Sequence, residues 1–232
     1  MSRILSKEEW IRKRRRRKKL MMLIAFLLML SILIIAALII GKLVFRSSDT
    51  PKNDMETIEE TYLNGIRIKK QFLTPNEYSR PQTKLTKVQG IVIHYTANPG
   101  TSAKGNRSYF EGLATKHTTK ASSHYIIGLE GEIIQCIPLT EIAYASNNRN
   151  DDTISIECCH PDETGEFNEE TYQSLVGLSA ALCRKFNLEE EDIIRHYDVT
   201  GKACPLYYVE HEDAWLKLKE NIMEEVEAPM VR

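Results

Sequence analysis

The fold is decided by a short apolar stretch that ends in a histidine, Gly90-Ile91-Val92-Ile93-His94. This composition predicts a short buried strand. A β-branched stretch at 153–159 predicts a second strand, and 192–196 predicts a short extended segment. Apolar residues at helical spacing predict helices over 102–117, 168–187 and 210–225. Strands interleaved with helices indicate an α/β domain with a mixed central β-sheet flanked by helices.

Two further stretches predict a hairpin, because residues 124–129 and 132–138 flank the turn sequence Glu130-Gly131. The second predicted helix also has a clear start. Asn168 stands where an N-cap is expected, and two glutamates in the first turn complement the helix dipole.

The N-terminal part differs from the rest of the chain in charge. The formal net charge is -1, yet residues 1–46 carry 12 Lys and Arg against two acids. A basic run at 12–19 directly precedes an unbroken apolar stretch at 20–40, in which Ser31 is the only polar residue. We therefore predict a basic cytoplasmic segment, 1–19, and a single transmembrane signal anchor, 20–41, because no small-x-small cleavage site follows.

This arrangement predicts a single-pass cell-membrane protein whose domain lies outside the cell. Residues 42–65 are polar and predict a linker, and residues 66–228 predict the folded domain. The chain after residue 46 is acidic, which excludes a general nucleic-acid binder, since clustered bases are needed against phosphate. The sequence predicts no particular oligomeric state.

Three residues form a candidate metal-binding set. His94 and His196 each follow an apolar stretch, and Cys204 lies in the turn-like stretch 201–205. Two imidazoles and one thiolate leave a fourth coordination position open, which is typical of catalytic zinc. From spacing alone, the alternative is a hydrogen-bonded structural role, which is the more common one for a histidine at the end of a strand.

A carboxylate in the second predicted strand is the other candidate. The apolar residues at 153–159 alternate, so Glu157 lies on the face opposite Ile154 and Ile156. A carboxylate within such a strand costs free energy unless it is solvated, paired or functional. The alternatives are an edge strand with a solvated face and a general base next to a metal. Cys158-Cys159-His160 is set aside as a metal site, because neighbours on a strand point to opposite faces.

Four motifs occur in the following order: His94-Tyr95-Thr96, Ser123-His124-Tyr125, Ile154-Ser155-Ile156-Glu157, and RHYDVTGKACP at 195–205. Together they resemble the zinc-dependent N-acetylmuramoyl-L-alanine amidases of the phage-lysozyme and peptidoglycan-recognition-protein superfamily, over roughly residues 70–220.

The resemblance implies Zn²⁺ as cofactor, with His94, His196 and Cys204 as ligands. It implies Glu157 as the catalytic carboxylate and a catalytic role for Lys202, at the oxyanion or at a substrate carboxylate. Two positions depart from the family. Ser123 stands where several relatives have a tyrosine near the metal, and Tyr144-Ala145-Ser146 replaces a common Trp-His-Ala.

Four more residues are candidates for substrate contact. Asn147, Asn148 and Arg149 form a polar loop before the second strand, although an ordinary turn is the alternative. His124 starts a strand beside the site in relatives, although a hydrogen-bonded structural histidine is equally compatible.

The predicted function is therefore a membrane-anchored zinc hydrolase acting on peptidoglycan. The bond cut would be the amide between the lactyl group of N-acetylmuramic acid and L-alanine of the stem peptide. One alternative is a non-catalytic peptidoglycan-binding receptor on the same fold, in which the cysteine ligand is typically lost. The other is a zinc peptidase or amidase that acts on another substrate.

Overall fold

The computed structural model describes residues 21, 22, 29 and 59–229. The predicted cytoplasmic segment 1–19 lies outside these residues, and so does the predicted anchor 20–41 except for Met21, Met22 and Met29. Within the described part of the chain, no helix combines the length and apolarity needed to cross a membrane. The residues described from 59 onward belong to one compact unit, Thr57–Arg232.

A seven-stranded mixed sheet forms the centre of this unit, in the order β1-β2-β5-β4-β6-β3-β7. Parallel pairs join β6 to β4 and β3, β3 to β7, and β2 to β5, whereas β1–β2 and β4–β5 are antiparallel. The strands are β1 Glu59–Leu63, β2 Ile66–Lys70, β3 Gly90–Tyr95, β4 Tyr125–Ile127, β5 Ile133–Gln135, β6 Thr153–Cys158 and β7 Ile193–Arg195. The mixed α/β sheet predicted from the sequence is confirmed.

The helices are α1 Ala103–Lys116, α2 Glu169–Phe186, α3 His196–Thr200, α4 Leu206–Glu210 and α5 Glu212–Glu227. Two 3-10 turns, Asn147–Arg149 and Glu190–Asp192, lie in the connections. Asn168 caps α2 as predicted, its side chain accepting a hydrogen bond from the Thr171 amide. His196 was predicted in an extended segment, but it is the first residue of α3.

Helices cover both faces of the sheet. On one face, residues of α2 and α5 such as Leu175 and Leu218 pack against Ile91 and Ile154. On the other face, Leu113 of α1 packs with β4 and β5. Burial on both sides explains why β3 is apolar throughout rather than alternating.

The first hairpin begins seven residues before the predicted domain boundary at 66. Strand β1 starts at Glu59 and lies within the stretch predicted as a polar linker. A two-residue turn joins it to β2, with Asn64 at φ 48° and Gly65 at φ 86°. Asn-Gly is the preferred sequence for such a turn, because both central residues need positive φ. This hairpin was not predicted from the sequence, because the polar residues of β1 do not show the apolar alternation of a strand.

Candidate metal centre

Three adjacent parallel strands bring the candidate residues to one edge of the sheet. His94, near the end of β3, lies directly opposite Glu157 in β6. On the other side of β3, Ile93 lies opposite Arg195, the last residue of β7, and His196 follows it. Because these strands are parallel, their carboxyl ends meet at the same edge, where ligands commonly bind in α/β sheets.

The third candidate ligand reaches this edge through a turn. Helix α3 ends at Gly201 in the left-handed conformation, φ 75°, and the chain then turns back. The Tyr197 amide donates a hydrogen bond to the Cys204 carbonyl at 2.9 Å, which holds the segment containing Cys204 next to helix α3. A left-handed backbone conformation just after a helix favours glycine, because glycine has no Cβ to clash with the backbone.

The three side chains converge. One potential ligand atom from each of His94, His196 and Cys204 lies within 4.8 Å of the others, and all three residues are buried. Cys204 Sγ lies 3.8 Å from His94 Nδ1, and the two imidazole rings have centroids 4.7 Å apart. The predicted set is thus assembled from residues up to 110 positions apart in the chain.

This donor set fits a zinc ion. Within the described part of the chain, buried His196 Nδ1 and Glu157 Oε2 have no hydrogen-bond partner. Unpaired buried polar atoms cost free energy, and a cation beside them removes that cost. Two imidazole nitrogens and a thiolate, with one position open, are the ligands of catalytic zinc sites.

The environment shifts the acid–base properties of each group. Burial lowers the pKa of His94 well below its ordinary value, and the charges of His196 and Lys202 lower it further. Burial also lowers the pKa of His196, so both rings are neutral, as metal ligation requires. Without a metal, burial and, to a smaller extent, the charge of Glu157 raise the pKa of the Cys204 thiol to about 12.

Glu157 lies in the same cavity with its acidity strongly reduced. Burial raises the pKa of its carboxyl group to about 8, and the positive charge of Lys202 opposes this shift. A carboxyl group whose pKa lies close to neutrality can both accept and release a proton near pH 7. The position of Glu157 opposite His94 therefore suits proton transfer next to the metal.

A cavity of about 330 Å³ opens over the three candidate ligands. Besides these ligands it is lined by Tyr95, Phe110, Lys120, Ala121, Ser122, Tyr144, Ala145, Asn147, Asn150, Glu157 and Lys202. Such a volume is at the small end of the range of ligand sites in proteins. The spacing of motifs along the chain gave no indication of Phe110 or Lys120, which reach the cavity from α1 and the segment after it.

Comparison with known proteins assigns the family. The family model described as N-acetylmuramoyl-L-alanine amidase matches residues 84–206, more than half of the chain. The chain belongs to this family. The matched range contains all five candidate catalytic and metal-binding residues.

Two curated members of the amidase family come from Bacillus licheniformis. The N-acetylmuramoyl-L-alanine amidase CwlL is 40% identical over 157 residues, covering 62% of this chain and 43% of CwlL. A probable N-acetylmuramoyl-L-alanine amidase is 36% identical over 156 residues, covering 62% of this chain and 44% of that protein. The chain thus spans less than half the length of these relatives.

The solved structure of the XlyA catalytic domain has the same fold, with a TM-score of 0.56 and 25% identity. The alignment covers 67% of this chain and 98% of that domain. The sheet and its flanking helices therefore have the fold of the XlyA catalytic domain.

The four residues predicted to contact substrate separate in the amidase fold. Asn147 lines the cavity, and its side-chain oxygen accepts a hydrogen bond from His196 Nε2 at 2.9 Å. Asn148 is exposed, and Arg149 forms an ion pair with Asp152 at 2.8 Å. Among the described residues that line the cavity, neither Asn148 nor Arg149 is found.

His124 has a structural environment. It is buried, and its Nε2 donates to the Glu141 carbonyl at 2.9 Å. Its Nδ1 accepts from the Ser155 amide at 3.1 Å. Both ring nitrogens are therefore used inside the protein, which leaves none for a substrate and fits the structural alternative stated above.

The two departures from the family pattern have clear places. Ser123 is buried, and its hydroxyl can donate its one proton to the carbonyl of either Tyr125 at 3.0 Å or Ser155 at 2.9 Å rather than reaching the cavity. Ser146, in the loop that replaces Trp-His-Ala, lies 3.2 Å from His94 Nε2 through its Oγ. In the sequence, the only signal for Ser146 is that it belongs to this departure from the family pattern.

The remaining cysteines do not form disulfides. All five cysteines of the chain lie in the described part, and each is free and buried. Burial raises the pKa of Cys136 and Cys183 to about 12, so these thiols stay protonated and pack as small apolar groups.

Proposed function

We propose that this protein is a zinc-dependent, membrane-anchored N-acetylmuramoyl-L-alanine amidase. Its substrate is peptidoglycan, and the bond it cleaves joins the lactyl group of N-acetylmuramic acid to L-alanine of the stem peptide. The observation that carries the proposal is the convergence of His94, His196 and Cys204 within 4.8 Å, beneath a cavity that also contains Glu157. Membership of the amidase family supports the bond that is cut.

In this proposal His94, His196 and Cys204 hold the zinc ion. When bound, zinc supplies Lewis-acid chemistry, polarising the scissile carbonyl and making water more acidic. The cysteine contributes a negative charge as thiolate, which balances part of the charge of the cation. The presence of all three residues favours an enzyme over a receptor that has lost the cysteine.

Glu157 transfers the proton. Its carboxylate takes a proton from the attacking water and gives it to the amine that leaves, namely the L-alanine nitrogen. One group can perform both steps because burial raises the pKa of Glu157 in the metal-free protein to about 8, close to neutrality. Within the described part of the chain, Glu157 Oε2 has no hydrogen-bond partner, so this oxygen is available to accept the proton.

Lys202 supplies positive charge at the edge of the cavity. Negative charge develops on the carbonyl oxygen as the tetrahedral intermediate forms, and a cation placed there stabilises it. Lys202 is exposed in the structure, so its side chain can turn toward the substrate without leaving a buried contact.

The membrane location rests on the sequence. The basic run 12–19 stays in the cytoplasm, residues 20–41 cross the bilayer once, and the amidase domain lies on the cell-wall side. Protease added to intact protoplasts should digest the domain and leave the N-terminal segment protected. Protection of the domain in intact protoplasts would contradict this orientation.

The cleaved bond is tested by mass spectrometry of peptidoglycan digested with the full chain. New L-alanine amino termini are expected, whereas cuts within the stem peptide or the glycan would refute the amidase. Glu157→Gln should retain zinc and lower the cleavage rate about 10²–10⁴-fold, which is the usual contribution of general acid–base catalysis. The matched substitution Glu130→Gln, in an exposed turn, should retain the full rate. Binding to peptidoglycan without any cleavage would instead support the receptor.

A further inference from the structure

One loop contacts both imidazoles from the side away from the candidate metal position. Ser146 and Asn147 are adjacent, yet Ser146 Oγ lies 3.2 Å from His94 Nε2 and Asn147 Oδ1 lies 2.9 Å from His196 Nε2. Two neighbouring residues thus hold the outer nitrogens of two histidines that are 102 positions apart in the chain.

The contact to Asn147 fixes which nitrogen of His196 carries the proton. The Asn147 side-chain oxygen can only accept a hydrogen bond, so His196 Nε2 must be protonated and Nδ1 keeps its lone pair. His196 Nδ1 is the buried atom that lacks a partner within the described residues. In His94 the Nδ1 atom faces Cys204 Sγ at 3.8 Å and Nε2 faces the Ser146 hydroxyl, so the Nε2-protonated tautomer of His94 would direct its Nδ1 lone pair toward the cysteine, as in His196.

The loop is itself held in place. The Asn150 side-chain oxygen accepts hydrogen bonds from the Ala145 amide at 3.0 Å and the Ser146 amide at 2.6 Å. Asn147 has a positive φ of 52°, a conformation that asparagine tolerates better than most residues. Ser146 is buried, whereas Asn147 is exposed, so an exposed side chain reaches inward to a buried ring.

We infer that Ser146 and Asn147 are positioning residues, which orient His94 and His196 and select the tautomer whose Nδ1 atoms bind the metal. A hydrogen bond to the outer nitrogen of a metal-binding histidine fixes its orientation and raises its basicity as a ligand. This inference rests on the zinc site of the proposed function. It assigns the polar loop at 147 to the metal centre rather than to substrate.

The test separates hydrogen bonding from backbone strain. Asn147→Gly removes the acceptor but accepts positive φ, and Asn147→Asp keeps an acceptor oxygen and tolerates the same conformation. Asn187→Gly is the matched control, because Asn187 is also exposed, also has a positive φ of 53°, and caps α2. Ser146→Ala tests the contact to His94.

Two readouts are measured on the full chain, and neither depends on activity. Competition with a chelator gives the zinc dissociation constant, and ¹⁵N NMR of histidine-labelled, metal-free protein gives each tautomer. We expect Asn147→Gly and Ser146→Ala to weaken zinc binding about 10–100-fold, the usual effect of losing such a partner. In the metal-free protein, Asn147→Gly should also abolish the single Nε2-protonated form of His196.

Asn147→Asp should keep the native tautomer, and Asn187→Gly should keep both the tautomer and the zinc affinity. Unchanged tautomer and affinity in Asn147→Gly would overturn the inference while leaving the amidase intact. A parent chain that binds no zinc would overturn the proposed metal centre as well. If Asn147→Gly does not fold, loss of the tautomer in folded Asn147→Asp would equally refute the role of the acceptor.

Discussion

Acidification should destabilise the fold through His124, a histidine away from the metal centre. Burial lowers the pKa of this group from 6.5 to about 4, and the hydrogen bond to the Glu141 carbonyl offsets only part of the shift. Protonation would place a second N–H on Nδ1, which now accepts from the Ser155 amide, so two donors would face each other.

The magnitude follows from the two pKa values. The unfolded histidine titrates near 6.5, and the folded one near 4. Because the folded pKa is the lower one, the unfolded state binds more protons between these values. The contribution is therefore complete above about pH 6.5 and is lost as the pH falls toward 4. The loss between pH 7.5 and pH 5 is about 2 kcal/mol of unfolding free energy, and the full loss is about 3 kcal/mol.

Urea unfolding at pH 7.5 and pH 5, with a chelator present, measures this effect without a contribution from metal release. His124→Gln cannot titrate in this range, and its amide can still donate toward the Glu141 carbonyl. We expect the variant to lose about 2 kcal/mol less than the parent between the two pH values. Equal losses in the two proteins would refute the assignment of acid sensitivity to His124.

Three further predictions concern the metal and the core. If the free zinc concentration is 100 times its dissociation constant, removing the zinc with a chelator should lower the unfolding free energy by about 2.7 kcal/mol. In thermal unfolding, the Cys204→Ser variant should show no such response to the chelator. Leu113→Ala, at a fully buried position, should cost about 2–5 kcal/mol in urea unfolding, whereas a cost below 1 kcal/mol would contradict its place in the core. Gly131→Ala should cost more than Gly65→Ala by the same measurement, although both have positive φ. A Cβ at Gly131 would lie 2.8 Å from Ser174 Oγ, whereas no described atom lies within 4 Å of one at Gly65; equal costs would be evidence against this contact.

Local sequence patterns were enough to predict the two strands that carry His94 and Glu157. The apolar stretch before His94 and the alternation around Glu157 placed both residues on strands, and the structure pairs them directly. This succeeds because strand geometry has a period of two and depends on neighbouring residues. The same reasoning missed β1, since its polar residues gave no period and only the Asn-Gly turn marked the hairpin.

Contacts between segments that are far apart in the chain could not be predicted from the sequence. His124 was a candidate for substrate contact, but its ring nitrogens meet Glu141 and Ser155, which come from other parts of the chain. Asn147 was a candidate for substrate contact, and in the structure it lines the cavity and meets His196, 49 residues away in the chain. Such pairings depend on how the strands are ordered in the sheet, and residue spacing carries no information on that order.

The α/β class, the candidate metal-binding residues and the charge pattern that predicts a membrane anchor could all be inferred from the order of the amino acids. Periodicity, residue type and charge are local properties, so the sequence displays them directly. The fold was needed to show that His94, His196 and Cys204 meet within 4.8 Å, and that residues 146–147 contact the outer nitrogens of both histidines. These features arise when parallel strands align their carboxyl ends and left-handed residues turn the chain back, which is settled by packing across the whole sheet.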